Sequence, residues 1–144
     1  MEYGYGVILS QCRFVPDADV ILLDKALDMG NDELYHKHTV FCDNYGYSYE
    51  SKPGKKEFVE TYEDDHTGCG LVGMLARMIN DADFDGEDFF VAKGGCLYVK
   101  AEIPVDDEDK QLMPTQRDIQ MLLSLFLNPL LEQPCSPCHV EVLE

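Results

Sequence analysis

Apolar positions along this chain recur with two different periods, and the order in which the periods alternate predicts the elements. Tyr5 to Val15 opens with the buried-type run Val7-Ile8-Leu9 and loosens into alternation through Cys12 and Phe14, a strand pattern that Pro16-Asp17 ends. From Asp19 to Asp28 the period changes: Val20, Leu23 and Leu27 fall near helical spacing, with Asp17 or Asp19 to cap and Gly30 to stop a helix. His38 to Cys42 is rich in β-branched and aromatic residues, Tyr45 to Tyr49 alternates aromatic with small, and Phe58 to Tyr62 runs out again. With Asp43-Asn44 and Pro53-Gly54 as turns between them, these three runs predict a β-meander with one wet face.

The second half reads more sharply. Leu71, Met74, Leu75, Met78 and Ile79 form a single stripe at i, i+3, i+4, i+7 and i+8, predicting a helix over Gly70 to Asn80 with Thr67 as its cap. Phe89 to Ala92 and Cys96 to Ile103 flank Lys93-Gly94-Gly95, where glycines supply the positive φ of a hairpin turn. A last helix starts near Pro114 or Thr115 and ends by Leu127 or Asn128, because Pro129 disfavours helical geometry just before it. Cys138 to Leu143 reads as a terminal strand. The fold class expected is α+β: an antiparallel sheet, meander plus hairpin, packed against two or three helices in one domain over residues 1–144.

Composition adds one unusual quantity. Hydrophobic residues make up 45% of the 144 positions, enough for a core that needs neither disulfides nor metal. Twenty-eight acidic residues face eleven basic ones, for a formal net charge of -17. A surface so charged repels nucleic acid and anionic membrane and is steered toward basic partners, although the same charge also serves plain solubility. No apolar run is long enough to span a bilayer, and the Met1-Glu-Tyr-Gly start lacks a secretory pattern, so the expected location is cytoplasmic with the six cysteines reduced.

Three local motifs could carry chemistry. Asp81-Ala82-Asp83-Phe84-Asp85-Gly86 matches the first half of an EF-hand calcium loop, in which alternate carboxylates turn inward and a glycine allows the bend. Its second half does not match, since the twelfth position is Ala92 where a bidentate glutamate belongs. Asp81, Asp83 and Asp85 are therefore candidate ligands of a truncated, EF-hand-like calcium site. Cys135-Ser136-Pro137-Cys138-His139 has the spacing of a haem-attachment or redox motif, and it could bind zinc if His36, His38 or Cys42 completed the set. Finally, His66-Thr67-Gly68-Cys69-Gly70 would place Cys69 in the first turn of a helix, where the dipole favours a thiolate, but Glu60, Glu63, Asp64 and Asp65 oppose it. Dinucleotide, phosphate-loop and nucleophile-elbow signatures are absent from the sequence.

The last helix supports a different kind of function. Ile119, Leu122, Leu123, Phe126 and Leu130 continue one stripe, while Met121 and Leu125 lie off it. Either the helix is buried all round or it carries a second apolar face for a dimer or a partner. Apolar anchors beside acidic loops such as Asp106-Asp107-Glu108-Asp109 suit a basic groove, the anchors providing affinity and the charges the encounter rate. The leading expectation is thus a non-enzymatic, acidic protein-interaction module, an inhibitor or nucleic-acid mimic that occupies a basic protein surface. A divalent-metal protein using calcium or zinc is the alternative, and a thiol-dependent enzyme built on Cys69 comes third.

Overall fold

The computed structural model describes residues 1–64, 68–101 and 114–143. Their main sheet has four antiparallel strands: β1 (Glu2–Ile8), β4 (Phe90–Lys93), β5 (Cys96–Lys100) and β6 (Cys138–Val142), in the order β4-β5-β1-β6. A small second ladder pairs β2 (Glu63–Asp64) with β3 (Gly68–Cys69). The helices among the described residues are α1 (Ala18–Asp28), α2 (Asp32–Tyr45), α3 (Lys52–Thr61), α4 (Gly70–Asp83) and α5 (Gln116–Phe126). The α+β class is thus observed, with the antiparallel sheet and the hairpin.

Strand periodicity divides the sheet into two faces. Val7, Leu97, Val99 and Phe90 point toward the helices and join one hydrophobic cluster that draws on all five of them, including Leu22, Leu23, Leu34, Val59, Leu75, Ile79 and Leu123. On the opposite face, Cys96, Tyr98, Val140 and Val142 form a separate small cluster. The Tyr98 ring lies across β1 at Gly4 and Gly6, where a Cβ would overlap the ring at Gly4 and the Leu97 carbonyl at Gly6. Two glycines in β1 are therefore what lets the strands close over a buried tyrosine. The β4–β5 turn has positive φ at both Gly94 (59°) and Gly95 (76°), the type I′ geometry that matches strand twist.

The first strand is shorter than its hydrophobic run. Ile8 pairs with Cys96, where β5 begins; beyond that pair Leu9 N donates to the Gly95 carbonyl of the hairpin turn at 2.9 Å, Leu9–Gln11 turns as 3₁₀, and Phe14 makes only an isolated bridge to Leu131.

The expected meander is replaced by two helices. Asn31 caps α2 by accepting from Leu34 N at 3.0 Å, Asp32 and Glu33 occupy its first turn, and Gly46 ends it with φ 72°. Ser51 caps α3 through Gly54 N at 3.2 Å, with Pro53 in the first turn, where proline suits a helix start. Leu34, His38, Phe41 and Cys42 lie at i, i+4, i+7 and i+8 and face inward, so helical burial overrides the β preference of the tyrosines. Those rings instead pack on one another. Tyr45 and Tyr47 lie against Phe41 with centroids 4.8 and 6.1 Å apart.

Candidate functional site

Three places among the described residues bear on function: the acidic turn after α4, the cleft among α1, α2 and α3, and the outer face of α5.

At the turn, a guanidinium sits where a cation was expected. Arg77, in the second half of α4, donates from Nε to Asp81 Oδ1 at 3.1 Å, from Nη1 to Asp88 Oδ1 at 2.9 Å and from Nη2 to the Gly86 carbonyl at 2.7 Å. Asn31 Nδ2 donates to the other Asp81 oxygen at 3.1 Å. Asp83 and Asp85 stay exposed. Among the described residues no group of three or more His, Cys, Asp or Glu side chains is placed to hold a metal ion. Asp81, Asp83 and Asp85 therefore do not converge as calcium ligands: α4 continues through Asp83, so Asp81 and Asp83 leave the helix in different directions, and Asp85 follows in the turn with φ 51°.

The zinc constellation is also dispersed. Cys135 lies beside Cys12, whose thiol is pushed up to about 12 by burial and by that neighbour. Cys138 is exposed on β6, and the His139 ring meets Tyr5 edge-on at 5.4 Å. His36 is exposed on α2, while His38 and Cys42 are buried against α3. In the third motif, Cys69 closes β3 immediately before α4; its side chain, with His66 and Thr67, lies outside the described residues.

The cleft was not foreseen. It encloses about 540 Å³ and is bordered by Asp24 and Asp28 from α1, Tyr35 and His38 from α2, Tyr49 and Glu50 from the loop, and Lys55 from α3. Lys55 is only 7% exposed; its ammonium donates to Asp24 Oδ1 at 2.8 Å and lies 3.8 Å from Glu50. The hydrogen bond to Asp24 holds Lys55 above the ordinary lysine range in spite of its burial. His38, 3% exposed, has Nε2 3.4 Å from the Cys42 sulfur and its ring edge-on to Phe58 at 5.2 Å. Burial, with the Lys55 charge, pushes its pKa down and keeps the imidazole neutral at pH 7, whereas burial pushes the Cys42 thiol up. The dyad is therefore an uncharged hydrogen-bonding pair, with a thiol too buried to serve as a nucleophile. Its i, i+4 spacing is visible in the sequence, but only a helical assignment of residues 32–45 brings the two side chains together.

On α5, a capping box joins Thr115 and Asp118 reciprocally, at 3.1 and 3.0 Å, and Ile119, Leu123 and Phe126 are buried. Met121 and Leu125, one turn apart on the opposite side, are 62% and 57% exposed. Asp106, Asp107, Glu108 and Asp109 lie outside the described residues. No described helix is long and apolar enough to cross a membrane. Compared with family models, with curated proteins and with solved structures, the chain has no match.

Proposed function

We propose that this protein is a non-enzymatic interaction module that docks on a basic surface of a partner protein, in the manner of an inhibitor or nucleic-acid mimic. The observation that carries the reading is the solvent-facing pair Met121 and Leu125 on a helix whose other side is core, in a chain of net charge -17. Two apolar side chains one turn apart can fill neighbouring pockets of a groove. The excess of carboxylates in the chain, to which the sequence run Asp106-Asp107-Glu108-Asp109 contributes, accelerates encounter and rejects acidic surfaces, including a second copy of this chain. Direct contact with nucleic acid is disfavoured by the same charge.

The test is capture of cytosolic proteins on the immobilised chain at low and high salt, followed by binding kinetics of the captured partner with Leu125→Glu and Met121→Glu. The expected result is a basic partner whose association slows with salt and whose dissociation from either variant is at least about tenfold faster, the effect of losing one anchor. Both variants should keep the wild-type melting temperature, because exposed positions tolerate charge. Unchanged dissociation in both, or capture indifferent to salt, refutes the docking reading.

A further inference from the structure

We propose that the cleft among α1, α2 and α3 is a binding site for an organic cation, an alkylammonium or guanidinium group. Its volume of about 540 Å³ falls within the range of small-molecule sites and far exceeds what a lone metal ion needs. Three carboxylates, Asp24, Asp28 and Glu50, border it against the single ammonium of Lys55, so the lining is left negative and disfavours anions. Lys55 does not use up this capacity. It engages Asp24 through Oδ1, and among the described residues neither Asp24 Oδ2 nor Asp28 has an ion-pair partner.

A second, independent observation concerns His38. Although almost wholly buried, it borders the cleft, and its Nδ1 has no hydrogen-bond partner among the described residues. The Cys42 thiol opposite Nε2 can donate or accept, so the neutral ring can take either tautomer and Nδ1 can accept from a ligand N–H. The rim supplies the rest of the recognition. Tyr35 and Tyr49 stand 61% and 48% exposed at the mouth, and aromatic faces attract organic cations in preference to strongly hydrated metal ions. Carboxylates, a neutral acceptor and phenol rings around one volume form a receptor for N–H-bearing cations.

This site is separate from the outer face of α5, and its test does not involve a protein partner. The probe is agmatine, which carries both cationic groups, titrated calorimetrically into the full chain, with inorganic phosphate as the anionic control. One saturable site is expected. The double variant Asp28→Asn, Glu50→Gln spares the Lys55–Asp24 pair and should weaken binding about tenfold or more. Glu132→Gln, an exposed carboxylate elsewhere, should leave it unchanged. The chain has four histidines, and the imidazole resonances of His38 alone should shift on titration. A second arm uses capped arginine amide. Binding at least as tight as that of agmatine assigns the site to a partner's side chain, and markedly weaker binding assigns it to a free amine. Absence of saturable binding, equal weakening by Glu132→Gln, tighter binding of phosphate, or an unmoved His38 would each overturn the proposal.

Discussion

Asn80 offers the sharpest test of how the helices hold the sheet. It is 0% exposed near the end of α4, and its amide reads both backbone groups of Phe90, with Nδ2 donating to the carbonyl at 2.9 Å and Oδ1 accepting from the amide at 2.9 Å. Phe90 begins the edge strand β4, which has β5 on one side only, so these groups have no strand partner on their other side. Replacing Asn80 with Ala strands a buried N–H and a buried C=O together. At about 1–3 kcal/mol for each unsatisfied group, the loss should come to about 3 kcal/mol, a large share of the roughly 5–15 kcal/mol that stabilises a typical domain. With an unfolding entropy of about 2.1 cal/mol/K per residue, that corresponds to a fall in Tm of about 10 °C for a chain of this length. Because the chain has no tryptophan, urea unfolding followed by far-ultraviolet circular dichroism is the appropriate assay, with a lower midpoint and an unchanged slope expected. Asn80→Asp supplies an internal check. It preserves shape and the acceptor for Phe90 N but sets a carboxylate oxygen against the Phe90 carbonyl, so its deficit should grow as pH rises through the carboxylate range. A loss below about 1 kcal/mol for Asn80→Ala would mean that water or repacking satisfies Phe90 and that the clamp is unimportant.

Two more outcomes can be measured on the same preparation. Arg77→Met keeps the apolar stem but leaves Asp81 and Asp88 without their shared guanidinium, so it should destabilise by about 1–3 kcal/mol, while millimolar calcium leaves the wild-type Tm unchanged; a calcium-dependent rise in wild type would restore the metal reading. His38 has its folded-state pKa lowered by burial, so the unfolded chain binds the extra proton first and the neutral ring's contribution is lost as pH falls below about 6.5. Compared with His38→Phe, wild type should therefore lose stability between pH 7.5 and 5; parallel profiles for the two proteins would show that the imidazole is not shielded.

Elements whose burial follows a local rule were legible in the sequence. The stripe of α4 and the glycine pair of the hairpin needed nothing beyond their own neighbours, because helical period and positive φ are local properties. The two faces of α5 were legible as a pattern, but whether Met121 and Leu125 were core or surface depended on what else packed there. Tertiary structure alone decided residues 32–61. Their tyrosines favour strands in isolation, yet Leu34, His38, Phe58 and Val59 bury more completely as helices against α1 and α4, and Asn31 and Ser51 cap those helices. Misreading that segment hid the cleft, since Asp24, Lys55 and His38 meet only when three helices converge across a long span of chain. The acidic turn shows the same limit. Alternating aspartates specify negative charge within a few residues, whereas the fold placed Arg77 and Asn31 beside Asp81, a choice that no short motif records.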